Sequence, residues 1–186
     1  TGSGKSVCYQ IPSVLRSGVG IVVSPLIALM QDQVHGLRQN GLRADVLNSS
    51  LSGDEAAAVA RRVSGGQTDI LYVAPERLAT EGFQNLLKRI PIALFAIDEA
   101  HCVSQWGHDF RPEYLQIASV TAAFATVPRI ALTATADAHT RADILEKLNL
   151  RDAVRFVSSF DRPNITYRVR IKENGRNQLL RFIRGE

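Results

Sequence analysis

An unbroken apolar run, Ile92-Ala93-Leu94-Phe95-Ala96-Ile97, ends on two carboxylates, Asp98 and Glu99. No other feature limits the possible folds of this chain so tightly. A short, fully apolar segment bounded by polar residues suits a strand buried on both faces, as in a parallel sheet flanked by helices. Acidic residues at its C-terminal end then lie where open α/β sheets bind ligands. The residues that follow, 100–111, hold the single Trp of the chain, two His, a Gln, a Phe and an Arg. Core formation does not need that mixture.

The same alternation runs along the whole chain. Apolar runs predict strands over 19–23, 44–47, 70–73, 92–97 and 129–133. The segments between them predict helices over 26–39, 54–63, 76–89, 114–124 and 138–148, with Ser52 as a cap and Pro75 in a first turn. Strands alternating with helices imply a doubly wound, mostly parallel sheet. The 186 residues suffice for one substantial α/β domain, and 45% hydrophobic content is ordinary for a globular protein. No apolar stretch approaches the roughly 18 residues of a membrane span, and the first residues do not read as a signal peptide. Cys8 and Cys102 fall beside the two functional motifs and read as free thiols of an intracellular protein. From residue 151 onward there are 9 Lys/Arg against 4 Asp/Glu, so the basic excess sits in the tail, where it can attract phosphates or form a solvated surface.

The second motif is Thr1-Gly2-Ser3-Gly4-Lys5-Ser6, the back half of a phosphate loop. Small residues let backbone amides approach phosphate oxygens, Lys5 reaches the β- and γ-phosphates, and the Ser6 hydroxyl is a ligand for Mg²⁺. The helix that follows adds its positive dipole end. A phosphate loop and a distant acidic strand end are the two halves of one Mg²⁺–nucleotide site. Two features imply a piece of something longer. The phosphate loop lacks the strand expected before it, and 179–183 begins an amphipathic helix with nothing after it.

With both motifs placed, the chain resembles the N-terminal RecA-like motor lobe of RecQ-family DNA helicases, in helicase superfamily 2. The resemblance rests on Gly4-Lys5-Ser6-Val7-Cys8-Tyr9-Gln10, on residues 23–34 and 72–78, and on Asp98 through Tyr114. It continues through 131–136 and Ser159-Phe160-Asp161-Arg162-Pro163-Asn164-Ile165. Many motors share the phosphate loop and acidic box. The run Ser104-Gln105-Trp106-Gly107-His108-Asp109-Phe110-Arg111-Pro112 is far more specific, resembling the aromatic-rich loop of RecQ enzymes.

The resemblance implies 3′–5′ translocation on single-stranded DNA and unwinding of partly duplex DNA, driven by ATP with Mg²⁺. Residues 1–160 would be the first lobe and 161–186 the start of a second. Thr1, Gly2, Ser3, Gly4, Lys5 and Ser6 would bind ATP. Ser6 and Asp98 would hold Mg²⁺, and Glu99 would orient the attacking water beside Lys5 and Asp98. His101, Gln105, Thr133 and Thr135 would couple hydrolysis to DNA. Ser24, Gln33, Arg77, Trp106, His108, Phe110 and Arg111 would contact DNA, the aromatics by stacking on bases. The structural alternative for Trp106 and Phe110 is a plug under the sheet edge. The family's adenine-reading motif, its arginine finger, and its zinc-binding and winged-helix regions are not in this sequence, so the chain alone would be weakly active or inactive. RNA-directed motors and non-catalytic nucleic-acid-binding modules are the competing readings. The expected location is intracellular, cytoplasmic in a bacterium and nuclear in a eukaryote.

Overall fold

A computed structural model describes residues 4–106, 109–157, 164–166, 168–169 and 171–185. They fall into two compact units, Thr1–Ala153 and Val154–Glu186. The expected crossing at Asp161-Arg162-Pro163 lies outside the described residues.

The first unit is built on β1 (Val19–Val23), β2 (Ala44–Leu47), β3 (Ile70–Val73), β4 (Ile92–Ile97) and β5 (Arg129–Ala131), all parallel in the order β2-β3-β1-β4-β5. Successive residues of a strand point to opposite faces, and both faces are covered. Ile21 and Val23 of β1 join Leu71, Val73, Phe95 and Ile97 in one core. That core is closed by residues of α3 (Gly53–Ser64), α5 (Glu81–Leu87), α6 (Ile117–Ala122) and α7 (Ala138–Lys147). Val22, Tyr72, Leu94 and Ala96 face the other way and pack against α1 (Val7–Leu15) and α2 (Ile27–Gln39). Helices on both faces explain why β1 and β3 are buried at every position. Gly20 permits the close approach of α1, since a β-carbon there would collide with the Ser13 side chain.

In the first unit, three predicted elements differ by more than one residue at an end. The helix expected over 76–89 is two pieces, α4 (Pro75–Leu78) and α5, because the Thr80 side chain accepts from the Phe83 amide and starts a new helix. The helix expected from Tyr114 begins as a 3₁₀ turn, Pro112–Gln116, before α6. The strand expected to reach Thr133 ends at Ala131, and the Thr133 hydroxyl bonds the Thr135 backbone instead. The Ser52 cap forms as expected, as a full capping box with Glu55.

In the second unit, α8 (Gly175–Arg184) is capped by Asn174 and buries none of its residues. Its Leu179, Phe182 and Ile183 are exposed. Among the described residues, no helix is long and apolar enough to cross a membrane.

Candidate functional site

The sheet gathers candidate residues at the C-terminal ends of its strands, where ligands of open α/β sheets bind. Ser24 follows β1, Arg77 follows β3, Asp98 to His101 follow β4, and Thr133 to Thr135 follow β5. The phosphate-loop residues Gly4, Lys5 and Ser6 lead directly into α1. Gly4 has φ +71, a conformation glycine adopts at little cost. Thr1, Gly2 and Ser3 lie outside the described residues.

The end of β4 turns sharply. Glu99 is in the left-handed region (φ 46, ψ 46), unusual for a residue with a side chain. Its amide donates to Asp98 Oδ1 at 3.0 Å, which fixes that carboxylate against the turn. Residues Ala100–Val103 then form a buried 3₁₀ turn whose first amide donates to the Leu132 carbonyl beyond β5. His101, 5% exposed, places Nδ1 2.9 Å from Thr133 Oγ1 and 3.3 Å from Glu99 Oε2. The Thr133 hydroxyl is in turn bonded to the Thr135 backbone. One imidazole thus joins the acidic pair to the segment after β5.

Burial pushes the Asp98 carboxyl above its ordinary range. The adjacent Glu99 charge adds to this, while the Glu99 amide and the Lys5 ammonium pull it back. Lys5 therefore acts on Asp98 across the strand ends, which brings the phosphate loop and the acidic box into one electrostatic site. The Asp98 carboxylate offers oxygen donors there, and the Ser6 hydroxyl stands next to Lys5 at the start of α1; oxygen donors suit a hard dication. A carboxylate whose charge is penalised by burial is the group such a cation would stabilise.

The aromatic segment divides. Gln105 and Trp106 are exposed, Trp106 at 79%, with its ring centroid 6.5 Å from that of His139. Trp106 is not a plug. Phe110 is half-buried, and His108 lies outside the described residues. The Arg111 guanidinium is engaged within the protein, donating to Asp109 Oδ2 at 3.2–3.3 Å and to the Pro25 carbonyl at 3.1 Å. It thereby ties the aromatic segment to the β1–α2 junction. The Cys102 thiol points at Asp109 at 3.8 Å, and burial with the nearby Asp109 charge pushes it up to about 12.

At that junction the Ser24 hydroxyl is buried and has no hydrogen-bond partner among the described residues, while its amide donates to Val73 O. Gln33 turns inward, accepting at 3.0 Å from Gln10 on α1. Arg77 is half-buried and makes no ion pair with Glu76 among the described residues.

The sequence pattern does not mark two supports and one buried polar side chain. Fully buried Tyr114 donates its hydroxyl to the Asp98 carbonyl at 2.9 Å and so holds the acidic turn from behind. Ser104 bonds Asp143 on α7 at 2.7 Å, and Lys147 completes the group at 3.0 Å. Asn48, at the end of β2, is buried with its Nδ2 unpartnered among the described residues. No periodicity marks Tyr114 or Ser104, because each is defined by a partner on another element, while Asn48 Oδ1 accepts only from Ser50 among the described residues.

The model of the DEAD/DEAH box helicase family matches residues 1–144. The chain is 49% identical over 183 residues to the ATP-dependent DNA helicase RecQ of Haemophilus influenzae, covering 98% of this chain and 30% of that protein. It is also 49% identical to the Pasteurella multocida protein of the same name, over 100% of this chain and 29% of that one. The crystal structure of the Pyrococcus furiosus Hef helicase domain superposes with a TM-score of 0.56 at 19% identity, covering 80% of this chain and 32% of that one, which shows a shared fold. The chain belongs to the DEAD/DEAH box helicase family, and within it to the RecQ helicases, which it matches from end to end. It spans about 30% of the length of those two relatives.

Proposed function

We propose that this chain is the first motor lobe of an ATP-dependent DNA helicase. In the whole protein, ATP hydrolysed between this lobe and a second one drives 3′–5′ movement along single-stranded DNA and the opening of partly duplex DNA. The observation that carries the reading is the convergence of Lys5, Asp98, Glu99 and His101 at one end of the sheet, with Thr133 bonded to His101. Gly4, Lys5 and Ser6 bind the phosphates together with Thr1, Gly2 and Ser3. Ser6 and Asp98 hold Mg²⁺, which when bound neutralises phosphate charge. Glu99 orients the attacking water, and His101 passes the state of that site toward Thr133 and Thr135. Trp106 and Phe110 stack on unpaired bases. Ser24, Gln33, Arg77, His108 and Arg111 border the same strand, Arg111 by shaping the loop. The isolated chain hydrolyses ATP weakly or not at all, since an arginine finger is worth about 10³-fold or more in related NTPases. The protein works inside the cell, in the cytoplasm of a bacterium or the nucleus of a eukaryote.

The test is Lys5→Ala in the full-length parent. Loss of both ATP hydrolysis and duplex unwinding is the expected result, and unwinding at the parental rate would refute the ATP-driven reading. Comparing stimulation by single-stranded DNA and RNA in the same assay separates a DNA motor from an RNA-directed one.

A further inference from the structure

Gln10 lies one turn beyond Ser6 on α1, and its amide donates to the Ser6 carbonyl at 2.9 Å. Whatever moves the phosphate loop therefore moves Gln10. Its side-chain NH₂ makes two bonds across element boundaries, to Gln33 Oε1 on α2 at 3.0 Å and to the Tyr72 hydroxyl on β3 at 3.3 Å. Tyr72 in turn meets the Tyr9 hydroxyl at 3.3 Å, the two rings packed edge to face at 6.3 Å and both fully buried. Burial keeps both phenols protonated, and the Asp98 charge acts on each of them. The group thus borders the acidic box on one side.

Gln33 brings in the other side. It sits on α2, the helix that leads out of the Ser24-Pro25-Leu26 junction. A cleft of about 210 Å³ opens beside the amide pair, between Ser6, Gln10, Asp32 and Gln33. The bond is thus neither sealed in the core nor spread on the surface. If these positions only filled space, apolar side chains would serve there, since Met30, Val34 and Leu37 of the same helix already form the packing face.

We propose that Gln10 and Gln33 are positioning residues that hold the β1–α2 junction in register with the phosphate loop, with Tyr72 as the fixed point on the sheet. A nucleotide-dependent shift of α1 then reaches the nucleic-acid side through one amide–amide bond. The inference rests on the motor reading above and adds to it a route separate from the His101–Thr133 link.

The experiment is a double-mutant cycle in the full-length parent, with Gln10→Leu, Gln33→Leu and the pair, read as the ratio of DNA-stimulated to basal ATP hydrolysis with oligo-dT as the DNA. Thermal unfolding midpoints of all four proteins are recorded alongside. Each single variant should lower the ratio by about 3- to 10-fold, the range expected for residues that carry coupling between sites. The double variant should be no worse than either single one, with midpoints close to the parent's. Ratios at the parental value, additive losses in the pair, or losses that track the unfolding midpoint each overturn the proposal. If the parent itself shows no ATP hydrolysis, or none that DNA stimulates, the motor reading fails as well. A normal parent with unaffected variants sinks this inference alone.

Discussion

The acidic turn and the aromatic segment are neighbours in sequence but differ in almost every physical respect. Ala100 to Ser104 are all buried, and the turn is tied down by Tyr114, Thr133, Leu132 and Asp143. Gln105 and Trp106, immediately after it, are exposed, and their position depends on the anchored turn before them and the Arg111 clamp behind them. On the proposed reading, that contrast is a division of labour. Positioning reactive groups requires every polar atom to be partnered, whereas sensing a flexible strand requires apolar surface left uncovered on a rigid mount.

The largest effect is expected at the reactive end. Glu99→Gln in the parent should slow ATP turnover by about 10²- to 10⁴-fold, the range for loss of a general base, with nucleotide binding retained in an equilibrium assay. A fall of only a few-fold would remove Glu99 from the chemistry.

A third region shows how much anchoring alone is worth. Asp45 on β2 is buried and accepts from Arg38, Arg62 and Thr68. Burial alone would raise its pKa, but the bonds from Arg62 and Thr68 and the two arginine charges outweigh it and hold the carboxyl below its ordinary value. A carboxyl depressed in the folded state contributes stability above its unfolded pKa, and that contribution is lost as pH falls through the folded value. Asp45→Asn should therefore cost about 1–3 kcal/mol at neutral pH in urea denaturation of this chain. The gap from the parent sequence should narrow as pH is lowered through the acid range. A gap that is constant with pH would mean the arginines matter only through packing.

Trp106 should behave in the opposite way. Trp106→Ala in the parent should reduce DNA stimulation by about tenfold, given that base stacking on an aromatic is worth roughly 1–3 kcal/mol. Because the ring is exposed, the unfolding midpoint should barely move. The smallest change is expected from Tyr114→Phe, about 1 kcal/mol for the bond lost to the Asp98 carbonyl. That variant should lower stability more than Trp106→Ala despite removing a single atom. If the order of the two stability losses were reversed, Trp106 would be part of the core after all.

The fold was legible because apolar runs report burial on both faces, so all five strands and the two-sided packing follow from the pattern alone. What the pattern could not show was where a helix restarts. The Thr80 cap splits the 76–89 segment through a single side-chain bond, and apolar spacing carries no trace of it. At the site, residues on one continuous motif were legible, since Asp98, Glu99 and His101 need only a strand end to bring them together. Tyr114 behind Asp98, Gln10 against Gln33 and Arg111 on Pro25 were not, because each bond joins residues 16 to 86 positions apart. Long polar side chains look solvent-facing or ligand-facing in sequence, and only the packing reveals that Gln33 and Arg111 are turned inward.

If the proposed reading holds, the phosphate loop and the acidic end of β4 serve one nucleotide. A double-mutant cycle on ATP hydrolysis by the parent, using Lys5→Ala and Asp98→Asn, tests it most directly. Groups acting as a unit are strongly non-additive. The double variant should be hardly slower than the more damaged single one, whereas losses that multiply across the two positions would show that they serve separate sites.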